Sequence, residues 1–252
     1  MAKTRRLSSD RRWQLAGIGA LILVTVIVAA AFGVARTRHQ QDVPVLSSAP
    51  LANQKPKKIV VIGDSFTEGT PQGGVGANGW QQLAFRQLRT DGIDITPSVA
   101  AEGSAGYAAR GYRGTNFVEE AHRVLAPDDN LVIIFGGMND ATMDPKSEAS
   151  AVSDTFGFVR TTAPQAQLIV VGPVSPVADP PPELTRVRDL IRDQANQVGA
   201  IFVDPIADRW FDNLPSSIGP DGLHPTDEGH AYMSEKLLPV IRDALAPPGA
   251  PR

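Results

Sequence analysis

The chain contains no cysteine. That excludes disulfides, thiol catalysis and cysteine-ligated zinc, so any stable domain must be held by packing alone. Histidine is nearly as scarce, with 4 in 252 residues. His39, His122, His224 and His230 are scattered and form no HExxH pair, so neither a metal nor any other cofactor is indicated. Hydrophobic residues at 42% and charged residues at 20% suit a globular protein long enough to bury a full core. Positive charge is outnumbered over most of the chain. Residues 1–38 hold seven Lys/Arg against Asp10 alone, a sum of +6, so from a chain total of −3 the remainder carries −9. An acidic body lacks the basic face that phosphate backbones need, and nucleic acid is not expected as a partner.

One long run carries no charge at all. Residues 16–34 read AGIGALILVTVIVAAAFGV, close to the roughly 20 apolar residues that span a bilayer as a helix. Basic residues crowd the side before it. The run reads as a transmembrane signal anchor over 16–35, with a basic cytoplasmic N-terminus at 1–15 and the rest of the chain outside the membrane. The alternative is a signal peptide, cleaved at the small residues Ala29–Ala31 or Gly33–Ala35. Residues 36–56 are polar, contain Pro44, Pro50 and Pro56, and read as a linker. The tail 247–252, PPGAPR, reads as disordered.

Between linker and tail, strand and helix signals alternate. Lys58–Ile62, Ile93–Val99, Leu131–Phe135, Gln167–Val171 and Ala200–Val203 suit strands. Helical spacing marks Trp80–Arg89, Asn116–Leu125, Ser150–Thr162, Glu183–Val198 and Thr226–Ala244. Strands as apolar as LVIIF are buried on both faces, as in a parallel sheet covered by helices. The pattern implies an α/β domain over 57–246, a flavodoxin-like three-layer α/β/α sandwich around a mainly parallel five-stranded sheet. Active sites in such sheets lie at the carboxyl ends of the strands.

Four short blocks fall there. The first strand runs into Gly63-Asp64-Ser65. The second leads to Glu102-Gly103-Ser104-Ala105-Gly106. The third ends in Gly136-Gly137-Met138-Asn139-Asp140, and Asp221-Gly222-Leu223-His224-Pro225 follows the last. A serine hydroxyl becomes a useful nucleophile when a base takes its proton. His224 can be that base, because imidazole titrates near neutral pH. Asp221, three residues earlier, can orient the ring across Gly222. Thr67 occupies the last position of what would be GxSxG, so this is not the nucleophile elbow of α/β-hydrolases.

In that order the blocks GDSFTEG, GSAGY, GMND and DGLHP resemble the GDSL/SGNH hydrolase family, over about Lys57 to Ala246. The resemblance implies a serine esterase with Ser65, Asp221 and His224 as its triad. It also implies an oxyanion hole made by the Ser65 N–H, the Asn139 side-chain amide and a glycine N–H. Gly106 is expected for the last, with Gly103 the alternative, because Ala101 replaces the Asn that often opens the second block. Phe66 stands where the family name has Leu and only packs. Expected substrates are acyl or acetyl esters of lipid, glycan or small molecules. A transferase using the same triad and an inactive tethered binding domain are the other readings.

Several signals are set aside. Asp64 and Asp140 read as structural acceptors of loop N–H groups. Gly74–Gly79 matches GxGxxG, but it does not join a strand directly to a helix, so it reads as a flexible loop at the rim. His230, on the closing helix, reads as a solvated helix residue. The Pro-rich stretch 173–182 reads as a stiff rim of the pocket.

Overall fold

A computed structural model describes residues 55–247. The anchor expected at 16–35, the segment before it, nearly all of the linker and the tail past Pro247 lie outside the described residues. Among the described residues no helix is long and apolar enough to cross a membrane.

Five strands alternate with helices: β1 (Lys57–Gly63), β2 (Ile95–Ala101), β3 (Leu131–Phe135), β4 (Gln167–Val171) and β5 (Ile201–Val203). The helices are α1 (Ser65–Glu68), α2 (Trp80–Thr90), α3 (Phe117–Val124), α4 (Pro145–Thr162), α5 (Pro182–Gln197) and α6 (Asp227–Leu245). The strands form one sheet in the order β2-β1-β3-β4-β5, and every pairing is parallel. This is the expected α/β architecture.

The two-residue period of a strand splits its side chains between the faces. On β1, Ile59 and Val61 face a core shared with Trp80, Phe85 and Leu88 of α2 and Met233 and Leu237 of α6. Val60 and Ile62 face the opposite core, with Phe117 of α3, Phe156 of α4 and Ile191 of α5. Both faces are covered, hence the apolar runs of β1 and β3.

The boundaries differ from expectation at three places. Helix α4 begins at Pro145, five residues ahead of Ser150, because Asp144 caps it, accepting from the Ser147 N–H at 3.0 Å, and Pro145 fits the first turn. The first turn carries few apolar residues, so periodicity alone starts the helix late. Strand β2 starts at Ile95, since residues 91–94 close the turn after α2. Helix α1 has only four residues and no periodicity to display.

Candidate active site

The site lies at the carboxyl ends of the strands. Gly63 ends β1, and a Cβ there would sit 2.3 Å from Thr67 Oγ1, so only glycine lets α1 fold back so tightly. Asp64 caps that helix: its carboxylate accepts from the Phe66 N–H at 2.9 Å, and its carbonyl accepts from Thr67 and Glu68. Burial pushes the Asp64 carboxyl up to about 7, with the nearby Asp140 charge adding to the effect and the Phe66 N–H opposing it. Ser65 follows in the first turn of α1, where N–H groups have no intrahelical acceptor.

The 221–224 turn meets Ser65 from the far end of the chain. His224 Nε2 lies 3.1 Å from Ser65 Oγ, and His224 Nδ1 lies 2.7 Å from Asp221 Oδ2. Asp221 Oδ1 accepts from the N–H groups of Leu223 and His224, both at 3.0 Å. Gly222, at φ +70°, and the Gly219 N–H, donated to His224 O, close the turn. The hydrogen bond from His224 and those two N–H groups hold the Asp221 carboxyl down at about 2. It is therefore ionised at any pH where an imidazole can be neutral. The Phe66 ring lies 5.8 Å from the imidazole and packs beside it. Serine, imidazole and carboxylate thus form one chain in which the ring can take the hydroxyl proton while the carboxylate holds its other nitrogen.

Asn139 stands in the 3₁₀ turn Met138–Thr142 after β3. One Nδ2 hydrogen is donated to Ala105 O at 2.8 Å, leaving the other open to the cavity that Asn139 shares with Ser65 and His224. Asp140, fully buried, accepts from the N–H groups of Tyr107, Ala108 and Ala109, each at 2.8 Å. Burial raises its carboxyl above the usual range against these three donors. Both aspartates occupy the structural positions expected of them.

Gly106 is bonded within its own loop. Its N–H is donated to Ala109 O at 3.0 Å, and the residue is buried away from the cavity wall. Glycine is needed there for another reason: a Cβ would lie 2.4 Å from Asp140 Oδ2. Gly103 borders the cavity, but its N–H is donated to Glu68 Oε2 at 2.6 Å. Both glycine N–H groups are thus donated within the protein in this structure.

His230 is unlike its expectation. It is buried, and its Nδ1 accepts from the Trp80 N–H at 3.3 Å. Burial pulls its imidazole down to about 4. The 74–79 segment is tied down at the same place. Gly74 N–H and Asn78 Nδ2 both donate to Asp227, at 2.9 and 2.7 Å, and a Cβ on Gly74 would lie 2.0 Å from His230 Nε2. Helix periodicity could have placed His230 inward, since it shares a face with Met233 and Leu237.

Leu223 lines two cavities. One, of about 610 Å³, is bordered by Ser65, Asn139 and His224, with Thr70, Val75 and Tyr112 around it. The second, of about 430 Å³, has mainly apolar walls, including Met138, Ala141, Pro176, Val177 and Leu184. Pro176 and Pro181 of the Pro-rich stretch edge it, and Met138 and Leu223 enter it from within the GMND and DGLHP blocks, where no apolar pattern marks them.

The GDSL-like Lipase/Acylhydrolase family matches over residues 61–232. A GDSL lipase of Mycobacterium tuberculosis is 46% identical over 186 residues, which cover 73% of this chain and 80% of that protein. Among solved structures, TesA aligns with a TM-score of 0.63 at 20% identity, over 75% of this chain and 100% of its own. A lipase/acylhydrolase from Enterococcus faecalis aligns with a TM-score of 0.58 at 18% identity, over 77% of this chain and 100% of its own. At those identities the structural likenesses show a shared fold.

Proposed function

The chain belongs to the GDSL-like lipase/acylhydrolase family and is a carboxylic ester hydrolase, and on that premise we propose that Ser65 is its nucleophile, His224 its general base and Asp221 the residue that orients the imidazole. The observation that carries this reading is the unbroken chain Ser65 Oγ to His224 to Asp221, at 3.1 and 2.7 Å.

The steps follow from those positions. Ser65 Oγ bonds to the ester carbonyl carbon while its proton passes to His224 Nε2, and the carbonyl π pair moves onto oxygen. The Ser65 N–H and the free Asn139 Nδ2 hydrogen stabilise that oxyanion. Donors fixed before charge develops are worth about 3–4 kcal/mol each in such sites. The tetrahedral centre collapses, the alcohol leaves with the proton from Nε2, and Ser65 is left acylated. Water then repeats the sequence, giving its proton to His224, and the carboxylic acid departs as Ser65 Oγ recovers it.

We take the acyl group to be a hydrocarbon chain longer than acetyl. Support comes from the apolar cavity of about 430 Å³ that shares Leu223 with the cavity bordered by Ser65. Acetyl would leave it empty, whereas each buried methylene gains about 0.8 kcal/mol. Pro176 and Pro181 edge that cavity, so the Pro-rich segment is its stiff rim. We also take the domain to act outside a membrane, either anchored or released; that reading rests on the charge and apolar order of residues 1–38 alone. A protease-protection assay on intact cells, with the C-terminus tagged, tests it.

The direct test is release of nitrophenol from acetyl, butyryl and octanoyl esters by the full-length protein, beside Ser65→Ala. The expected result is turnover lost in the variant, with kcat/KM rising about fourfold per methylene until the cavity is filled. Equal rates for parent and variant would refute the nucleophile. A preference for acetyl would refute the acyl cavity.

A further inference from the structure

The loops at the carboxyl end of the sheet are short of charge. Residues 69–79, 103–109 and 172–178 follow α1, β2 and β4, and none of them is Asp, Glu, Lys or Arg in a chain of which 20% is charged. Exposed apolar residues collect at the same end. Among the described residues five large apolar or aromatic side chains are exposed: Val75, Val99, Tyr112, Val177 and Ile201. Val99 lies within β2 and Ile201 opens β5. Val75, Tyr112 and Val177 are the most exposed, at 64, 66 and 52%, and stand in the segments after β1, β2 and β4. Every strand pairing is parallel, so those segments share one end of the sheet. Val75 and Tyr112 line the cavity bordered by Ser65, and Val177 lines the apolar one. Exposed apolar residues scattered singly mean little, but gathered round a cleft they mark a surface that something apolar covers.

All three are held in place by hydrogen bonds of their own segments. Val75 stands between Gly74 and Gly76, and the Gly74 N–H and Asn78 Nδ2 are anchored on Asp227 at 2.9 and 2.7 Å. Ser175, which is buried, clasps Val177: its hydroxyl donates to Val177 O at 2.7 Å and accepts from the Val177 N–H at 3.3 Å. Tyr112 donates its N–H to Gly103 O at 3.2 Å and its hydroxyl to Glu68, and the Arg113 guanidinium lies 4.6 Å from its ring centre. The apolar rim is therefore formed before any partner arrives, and contact with it loses little ordering entropy. Nearby charges are already paired, Arg113 with Glu68 at 2.7 Å and Arg110 with Glu119 at 2.8 Å. No Lys or Arg lines either cavity.

We infer that this end of the domain is a docking face for a lipid layer with uncharged or zwitterionic headgroups, and that Val75, Tyr112 and Val177 enter the edge of that layer. The choice of occupant follows from the chemistry of the face. Surfaces that seek anionic lipid set Lys and Arg beside their apolar residues, and the cavity walls here have none. Loops without charge lose little when the water over them is expelled. A tyrosine suits such a boundary, with an apolar ring and a polar tip. The inference rests on the reading that the acyl group is a hydrocarbon chain, since esters of such chains gather in layers instead of dissolving. It does not require residues 16–34 to lie in a membrane. If they do, the 20 residues 35–54 span at most about 70 Å when fully extended, which keeps the face close to that membrane.

The chain has no cysteine, so Val75→Cys, Val177→Cys and Ile201→Cys, each made singly in the full-length protein, take one environment-sensitive fluorophore apiece. When phosphatidylcholine vesicles are added, emission should brighten and move to the blue at 75 and 177 and stay constant at 201, at the amino end of β5. An unmoved signal at 75 and 177, or the same shift at all three positions, would overturn the inference. So would a shift without vesicles that grows with protein concentration, the mark of a second copy on the face, or a shift with phosphatidylglycerol vesicles alone. Rates give an independent measurement. The rate on nitrophenyl octanoate carried in phosphatidylcholine vesicles, divided by the rate on the same ester in dilute solution, should fall about tenfold when Val75→Ser and Val177→Ser are combined, since each valine withdrawn from the layer weakens docking several-fold. An unchanged quotient would overturn the docking role. The fluorophore needs no turnover, which separates the two levels. If acetyl esters are preferred while 75 and 177 still shift, the acyl cavity fails and the docking face stands; if octanoyl esters are preferred and neither position shifts, only the docking face fails.

Discussion

Two loops flank Ser65, and they were built by different rules. The 221–224 turn delivers side chains. Its chemistry needs one Asp and one His three residues apart, with a glycine at φ +70° between them, and that requirement is written in letters. The 102–109 loop is held through main-chain N–H groups, which every residue except proline carries. Its letters therefore report on packing instead. Gly106, the most motif-like of them, is there because Asp140 would clash with any Cβ. The difference teaches that a motif glycine near an active site also answers to close approach, here of the Asp140 carboxylate.

The sharpest way to break the comparison is to remove side chains from the first loop. His224→Ala should lower kcat by about 10⁴–10⁶, the range seen when a triad member is deleted. Asp221→Asn should cost about 10³–10⁴ by disfavouring the productive imidazole tautomer. Steady-state rates with a nitrophenyl ester check both, and losses below tenfold would mean that the turn is not the acid–base arm.

Next in size is Asn139→Ala, which deletes the one side-chain donor on the oxyanion side. It should lower kcat about 10²–10³-fold with little change in KM. An increase in KM alone would place Asn139 in binding instead.

Gly106→Ala should act on stability more than on rate. Its Cβ would press on the Asp140 carboxylate, which holds three main-chain N–H groups, and the cost should be about 1–3 kcal/mol. Urea denaturation measures it. A stable variant with a collapsed kcat would return the donor role to Gly106.

The smallest effect concerns His230, behind the catalytic loops. Folded His230 titrates near 4, against an ordinary value of 6.5. Between those values the unfolded chain binds a proton that the folded chain does not. The stability held by the neutral ring is complete above about 6.5 and is lost as pH falls toward 4. Asp64, raised from 3.8 to about 7, works the other way, because the folded state holds its proton and stability falls as pH rises across that window. His230→Gln should therefore lose less stability than the parent between pH 7 and pH 5. Parallel denaturation at the two pH values decides it, and equal losses would contradict the burial of a neutral ring.

Much of the molecule was legible beforehand, for identifiable reasons. Strands such as LVIIF announce a sheet covered on both faces, and helix–strand alternation sets the parallel order. Ser65, Asp221 and His224, which the fold brings within 3.1 and 2.7 Å of one another, stand out in the sequence because side-chain chemistry needs particular letters. What stayed hidden depends on through-space relations. Ser104 holds a conformation, φ +65°, that no composition announces. Glu68 gathers Gly103, Tyr112 and Arg113 from distant parts of the chain, which no local pattern shows. His230 was misjudged because its polarity outweighed the apolar face it shares with Met233 and Leu237.

The central claim is that Ser65 attacks and that the flanking loops serve it. Labelling the full-length protein with an alkyl phosphonate ester, then locating the adduct by peptide mass spectrometry, tests this most directly. The account predicts one stoichiometric adduct on Ser65, absent from Ser65→Ala and formed far more slowly in His224→Ala. An adduct on another residue, or an active enzyme that takes no label at Ser65, would contradict it.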